Sequence, residues 1–496
     1  MKNSNYSDWS KEDLIKEIKK LKKRKKYGIV WDEEKRKEKF DKESENKLPI
    51  LKEDKSKGIQ TAKNSSSNII IEGDNYHSLS VLNYTHGKQV DVIYIDPPYN
   101  TGKEFSYNDR LVELDDAYRH SKWLSFMKKR LMLARNLLKN SGVIFISIDD
   151  NEQATLKILC DEIFGPENFI ANIVWQKKYS PQNDAKYFSD MHDFILVYAR
   201  KKNIGSEKNG WVRTLLPRTE EMNARYRNYD DDPRGVWKTQ CSSVKTYNKK
   251  YDFPITVPSG RVVNPPPSRC WRFSKKKYEE LIADNRVWFG ESGNNVPAVK
   301  LFLTDVKDGI VPVTWWQREF AGHNQDAKQE IDEFNLKQAF ETPKPVKLIK
   351  RVLQVASKKN SIILDFFAGS GTTGHSVLEL NKDDGGNRKF ILCTNDEGNI
   401  CTKVCYPRIQ KVIKGYTNTK NEKVKGLGGN LKYFKTDFVD GEPTDKNKKK
   451  LVEQCTEMLC LREDCFDEIK QTKNYSIFKN HEERYLGIIY DDDGIE

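Results

Sequence analysis

Hydrophobic residues in this chain fall into two patterns, and each predicts a kind of element. Short β-branched runs predict buried strands. Ile69-Ile70-Ile71, closed by Glu72-Gly73-Asp74-Asn75, is one, and Val90-Asp91-Val92-Ile93-Tyr94-Ile95 is another. Spacing of three and four predicts helices. Leu124, Met127, Leu131, Ala134 and Leu138 form such a stripe, which Ser141-Gly142 is expected to end. Val143-Ile144-Phe145-Ile146 then reads as a strand finishing at Asp149-Asp150. Leu156 to Phe164 reads as a helix, with Gly165-Pro166 behind it. Ile173-Val174-Trp175 and Phe194-Ile195-Leu196-Val197-Tyr198 are further strands, and the polar stretch 103–116 reads as a mobile loop. Strand and helix alternate, which implies a parallel sheet covered on both faces.

Residues 201–340 break this rhythm. Aromatics interleave with basic residues at Trp211, Arg213, Arg218, Arg225, Tyr226, Arg227, Trp237, Trp271 and Arg272, and Pro265-Pro266-Pro267 lies among them. This reads as a separate, loop-rich module. Basic and aromatic side chains together suit a nucleic-acid surface, with an irregular domain bearing a solvated basic face as the alternative. The α/β rhythm returns at Thr342. Val346 to Val355 predicts a helix, Ile362-Ile363-Leu364 a strand ending at Asp365, and Phe390-Ile391-Leu392-Cys393 the next strand. At the amino end, Ser10-Lys11-Glu12-Asp13 is a helix start followed by Leu14, Ile18 and Leu21. Lys19 to Lys26 is almost wholly basic, and 32–67 reads as a charged, then Ser-rich arm or linker.

Composition narrows the class. A chain of 496 residues can bury a large core and hold two or three domains. Its net charge of +13 favours a polyanionic partner, although solubility alone would account for it too. No apolar run is long enough to span a bilayer, and the Lys-rich start has no apolar signal core, so a cytoplasmic protein is expected. The nine cysteines are an odd number without CxxC pairs. Cys401 and Cys405, and Cys455, Cys460 and Cys465, lack zinc-site spacing, so reduced thiols and no metal are expected.

The candidate chemistry sits in two loops. Asp96-Pro97-Pro98-Tyr99 follows the strand 90–95, and its prolines end that strand and stiffen the turn. The acid and a proline carbonyl can accept hydrogen bonds from an exocyclic amino group, and the tyrosine can stack on a flat ring. A plain strand terminator with an incidental acid is the bland alternative. Phe366-Phe367-Ala368-Gly369-Ser370-Gly371-Thr372-Thr373-Gly374 follows Asp365. Its glycines let the backbone turn tightly and approach a ligand, with the next helix N-terminus aimed at it. Read alone, Gly369, Gly371 and Gly374 equally fit a dinucleotide site. Glu397, just past the next strand, is placed to bind ribose hydroxyls.

An adenosine-type site and an amino-group site at strand ends of one sheet suggest methyl transfer to an exocyclic amine. In motif order the chain resembles the β-class amino-methyltransferases of DNA: the DPPY loop first, a target-recognition region at 201–340, and FxGxG last, at Phe367 to Gly371. Within that class it is most similar to the modification (Mod) subunits of type III restriction-modification systems. That likeness includes the Lys-rich N-terminal helix, Glu72 to Tyr76, Thr342-Pro343-Lys344-Pro345 and Asn430-Leu431-Lys432-Tyr433-Phe434. The resemblance implies a doubly wound, mainly parallel Rossmann-like α/β sheet in circularly permuted motif order. An inserted target-recognition module and a helical N-terminal arm complete the expected architecture. The expected segments are an arm and linker at 1–67, a catalytic half at 68–200, the recognition domain at 201–340, a cofactor-binding half at 341–437 and a C-terminal region at 438–496.

The resemblance also implies roles. Asp at position 96, rather than Ser, points to adenine N6 over cytosine N4. Asp96 and the Pro97 carbonyl would hold the amine, Pro98 would complete the turn and Tyr99 would stack on the flipped base. S-adenosylmethionine would be lined by Phe367, Ala368, Gly369 and Gly371. Asp365 would lie near its amino-acid part, Glu397 at the ribose and Thr342 and Lys344 beside its carboxylate, with Asp74 a further contact. Arg213, Arg218, Arg225, Arg227 and Arg272 would touch duplex DNA. A homodimer and a restriction (Res) subunit are the implied protein partners. The strand-like run Tyr485 to Tyr490 stops near the end of the chain, where the family pattern continues, so a shortened chain is expected. Rival readings are an orphan methyltransferase, an RNA or protein-glutamine methyltransferase, a dinucleotide oxidoreductase and a non-catalytic DNA-specificity protein.

Overall fold

The predicted apolar runs become strands of one ten-stranded sheet. In chain order they are β1 (Lys47–Glu53), β2 (Ser67–Glu72), β3 (Val90–Ile95), β4 (Leu138–Ile148), β5 (Phe169–Gln176), β6 (His192–Ala199), β7 (Trp315–Trp316), β8 (Ile362–Asp365), β9 (Lys389–Thr394) and β10 (Asn430–Asp440). Across the sheet they lie in the order β1-β10-β2-β9-β8-β3-β4-β6-β5-β7. This computed structural model describes residues 9–22, 31, 38–61, 66–101, 119–203, 209–307, 309–336, 342–442 and 444–490. The loop expected at 103–116, the end of the basic run at 23–26 and parts of the 32–67 arm lie outside the described residues.

From β10 to β4 every neighbouring pair is parallel. The chain leaves β3 through the helix Arg119–Leu137 for β4 on one side, and leaves β8 through Thr372–Asp384 for β9 on the other. Right-handed crossovers in opposite directions place their helices on opposite faces. The contacts agree: Arg119–Leu137 packs on Asn75–Thr85 and Gln153–Phe164, whereas Thr372–Asp384 packs on Val346–Ala356 and Tyr406–Lys414. The sheet is doubly wound, and β-branched strands such as Val90–Ile95 are buried because both faces are covered.

Three expectations need correction. Ser141-Gly142 does not end the helix, which stops at Leu137. Leu138 is wholly buried and pairs with Val90, so the chain turns straight into β4 and slips register before Val143. Gly142 fits that irregularity because a Cβ there would lie 2.9 Å from the Leu138 side chain and 3.0 Å from the Val90 carbonyl. Next, β6 runs antiparallel between β4 and β5, because a loop rather than a crossover helix joins β5 to β6. Last, the irregular module is narrower than 201–340. The compact second unit is Leu215–Pro312, while Trp315–Trp316 returns to the large sheet beside β5.

The second unit has its own core, in which Ile255, Val257, Trp271, Tyr278, Val287 and Phe289 meet. Its aromatics were expected on a nucleic-acid surface. Instead Trp237 and Trp271 are wholly buried and Tyr226 nearly so, and in the first unit Trp211 is buried as well. A small unit with few long strands needs these large rings to build any core. Among the described residues no helix is long and apolar enough to cross a membrane. All nine cysteines are free thiols.

Candidate active site

β8 and β3 are neighbours from which the chain departs in opposite directions, and a crevice opens beyond the carboxyl ends of such strands. The two sequence motifs are the two loops that flank it. Asp96 to Tyr99 leaves β3, and Phe366 to Gly371 leaves β8.

Asp96 is partly exposed and held from two sides. The Tyr99 hydroxyl donates to its Oδ1 at 2.8 Å. The Lys344 ammonium donates to Oδ1 at 2.8 Å and to Oδ2 at 2.7 Å. Lys344 also lies 5.1 Å from the centre of the Tyr99 ring. Burial and the Asp96 charge push the Tyr99 hydroxyl well above its ordinary pKa, so it stays a donor. Lys344 was expected beside a cofactor carboxylate, and its ammonium lies on Asp96. Thr342, two residues earlier, is exposed.

The loop after Asp96 is clamped by groups that sequence reasoning missed. Trp123 Nε1 donates to the Pro98 carbonyl at 2.7 Å. Asn100 is wholly buried with a left-handed φ of 54°, and its Nδ2 donates to Glu152 Oε1 at 2.5 Å. Glu152 is also wholly buried and meets His120 Nδ1 at 2.6 Å. Asparagine directly after the tyrosine was the available signal, since it tolerates left-handed backbone better than most residues. Asp193, at the start of β6, was missed entirely. It is 4% exposed, pairs with Lys177 at 2.7 Å, and burial pushes its carboxyl up against the pull of Lys344 and Lys177.

The glycine loop is equally constrained. Asp365 is buried, and its oxygens accept from Phe367 N–H at 3.0 Å and from the Thr373 hydroxyl at 2.5 Å. Its carboxyl group therefore braces its own loop. Asn75 donates to the Phe366 carbonyl at 3.0 Å and accepts from the buried Arg130 at 2.6 Å. Ala368 N–H donates to the Cys393 carbonyl at 3.2 Å, and Gly371 N–H to the Ala368 carbonyl at 2.8 Å. Gly369 and Gly371 both have left-handed φ, 48° and 78°. A Cβ on Gly371 would lie 3.1 Å from Cys405 Sγ. A side chain there would meet the protein interior.

The groups around the crevice fit a nucleoside with an amino-acid tail. The glycine turn leads into the N-terminus of the helix Thr372–Asp384, which favours negative charge. Phe367 is buried, with its ring packed against Phe126 and Phe366. Glu397 opens a short turn just past β9, half-buried, with Asn395 donating to it at 3.4 Å. Asp74 caps the helix Asn75–Thr85 through Tyr76 N–H and His77 N–H, and the adjoining Gly73 N–H donates to Thr394 at the end of β9. Carboxylates at these two strand ends suit hydroxyl groups.

The arginines expected on DNA are spread along the chain. Arg213 is exposed and belongs to the first unit. Within the second unit, Arg218 donates to Asn223 at 2.8 Å, Arg225 pairs with Glu221 at 3.3 Å, and Arg227 and Arg272 are exposed.

The family described as DNA methylase matches residues 90–402, well over half of the chain. The StyLTI Mod subunit of a type III restriction-modification enzyme from Salmonella typhimurium is 36% identical over 399 residues, covering 75% of this chain and 59% of that protein. The EcoPI Mod subunit of Escherichia phage P1 is 33% identical, covering 76% of this chain and 67% of that protein. The type II methyltransferase M.KpnI of Klebsiella pneumoniae is 31% identical, covering 78% of this chain and 94% of its own length. The chain thus spans only about three fifths of StyLTI Mod.

Asp365 supplies a pH test. Burial pushes its carboxyl up to about 7, far above the unfolded value of about 3.9. Between about pH 4 and about pH 7 the folded chain holds a proton there that the unfolded chain has lost. The stability owed to this group therefore falls as pH rises through that window and levels off above it. Asp365→Asn keeps both hydrogen-bond partners and removes the titration. The melting temperature of the native chain, relative to the variant, is expected to fall between about pH 4.5 and about pH 7.5. A constant difference would show an ordinary, ionised Asp365.

Proposed function

The chain belongs to the N6/N4 DNA methylase family, and we propose that it transfers the methyl group of S-adenosylmethionine to adenine N6 in duplex DNA. The observation that supports this most is how Asp96 is occupied. An ionised carboxylate offers about four lone-pair positions. Tyr99 and Lys344 take two on Oδ1 and one on Oδ2. The position left on Oδ2 can accept an N–H from an exocyclic amine. Trp123 donates to the Pro98 carbonyl, and the Pro97 carbonyl would accept the second N–H.

Drawing both N–H bonds out of the ring plane makes the nitrogen tetrahedral and turns its lone pair out of conjugation with the ring. When bound, S-adenosylmethionine supplies a methyl group already activated by its sulfonium, so the residues chiefly position and exclude water. As the new N–C bond forms and the S–C bond breaks, the nitrogen gains positive charge. It then sheds a proton, and Asp96 Oδ2 is placed to take it. Phe367, Glu397, Asp74 and the helix N-terminus after Gly371 would hold the cofactor. The adenine must leave the duplex to reach Asp96.

The two Mod relatives favour a modification subunit that works with a Res subunit. Coverage of 94% of M.KpnI favours a second reading, a methyltransferase that works without one. In either case the second unit, Leu215–Pro312, is the proposed sequence reader, inserted between the DPPY loop and the glycine loop. Gripping a duplex while extruding one base costs a few kcal/mol of stacking and pairing. A second copy with a two-fold interface is proposed to supply further phosphate contacts.

Asp96→Ala is expected to abolish transfer, by at least about a thousandfold, while S-adenosylmethionine binds as before. Calorimetry with the cofactor checks this, and lost cofactor affinity would move Asp96 into the cofactor site. Exchanging Leu215–Pro312 for a relative's segment should change the methylated sequence, and an unchanged sequence in an active chimera would refute the assignment. Light scattering during turnover should give a dimer mass. A monomer mass at full activity would contradict it.

A further inference from the structure

The connection from β5 to β6 ends in two adjacent aromatic rings that the site chemistry does not use. Phe188 is 97% exposed and Tyr187 is 83% exposed, more than any other large hydrophobic residue described. A single exposed apolar side chain is ordinary, but two neighbouring rings held out in water at a loop tip are not.

Their placement gives them a purpose. β5 runs in the same direction as β4 and β3, so its end opens on the same edge of the sheet as Asp96. The loop leaves there at Lys177 and returns at His192. Its base is tied to the active site. Lys177 Nζ contacts Asp190 at 2.6 Å and Asp193 at 2.7 Å, and Asp193 feels the charges of Lys344 and Asp96. Lys177 N–H and Lys178 N–H both donate to the Met191 carbonyl, at 3.0 and 3.3 Å. Higher up, Gln182 N–H donates to Ser189 Oγ at 2.8 Å, and Ala185 N–H to the Gln182 carbonyl at 3.2 Å. The rings emerge beyond these ties. Lys186 lies 5.5 Å from the Tyr187 ring, and Lys178 stands nearer the base. Phe188 lies four residues before His192, and this shorter arm gives a reach of up to roughly 13 Å. That exceeds the ~8.5 Å depth of a major groove.

We propose that Tyr187 and Phe188 form a wedge that enters the duplex and fills the gap left by the extruded adenine. The proposal rests on the DNA methyltransferase reading of the site. Extruding a base breaks its stacking on both neighbours, and a flat ring inserted in its place restores part of that stacking. Lysines at the same loop offer the phosphates a charged hold while the rings insert. Asp184 and Asp190 share the loop, and Asp190 is neutralised by Lys177.

The test uses the full chain and a duplex carrying the site found by sequencing methylated DNA. 2-Aminopurine in place of the target adenine reports extrusion by its fluorescence. Tyr187→Ala/Phe188→Ala should keep its affinity for S-adenosylmethionine, because neither ring touches the core. It should lose the fluorescence rise and fall roughly tenfold or more in kcat/KM on the paired duplex. On a duplex whose target adenine is mispaired, extrusion is already easy, and the loss should shrink to less than about threefold. Phe188→Trp should retain both signals. Unchanged activity in the double variant, or an equal loss on both duplexes, would overturn the wedge, the latter marking a general contact with DNA or a second copy. If the native chain neither methylates DNA nor raises the fluorescence, the methyltransferase reading fails and the wedge falls with it.

Discussion

Three carboxylates, those of Asp96, Asp193 and Asp365, meet at one edge of the large sheet, and like charges so close in a partly buried place repel. The structure gives each a different answer. Asp365 is buried, accepts from Thr373 and the Phe367 N–H, and is pushed up to about 7, so it approaches neutrality while bracing the glycine loop. Asp193 is buried against Lys177. Asp96 faces the crevice with Lys344 on both its oxygens. Lys344 acts on two of the three, since its charge also pulls on Asp193. The separation leaves one acid accessible, oriented by a tyrosine that cannot readily ionise.

That arrangement depends on two loops keeping their shape, and each is anchored to the helices behind it. The glycine loop is tied through the Phe366 carbonyl to Asn75, and through Asn75 to Arg130. Arg130 is buried and paired with Glu38 at 2.9 Å. The DPPY loop is tied through Pro98 to Trp123 and through Asn100 to Glu152. Trp123 and Arg130 both belong to the helix Arg119–Leu137. One helix therefore supports both loops, so a change in its packing would disturb the amine site and the proposed cofactor site together. Buried polar ties of this kind are rigid when satisfied and costly when half broken.

Much of this was legible in the sequence. β-Branched runs marked β2, β3, β8 and β9, because strands buried on both faces need no polar alternation. The loops at Asp96 and Phe366 stood out because proline pairs and clustered glycines each have a backbone reason to be there. What stayed hidden was long-range. Asp193 and Lys344 lie far from Asp96 in sequence, and only the sheet order brings them to it. The arginine–aromatic pattern at 201–340 misled for a related reason. Interleaving shows composition, not which side of a ring faces inward, and Trp237 and Trp271 went to the core. Ser141-Gly142 looked like a helix end because glycine serves both a helix cap and a strand irregularity.

The central claim is that the accessible acid at this edge of the sheet directs a methyl group to adenine N6 in DNA. Sequencing of modified bases in DNA from cells expressing the chain tests it directly. The account predicts N6-methyladenine at one recurring sequence, absent when Asp96 is replaced. N4-methylcytosine in its place, or DNA without any added methylation while RNA or protein acquires it, would contradict the account.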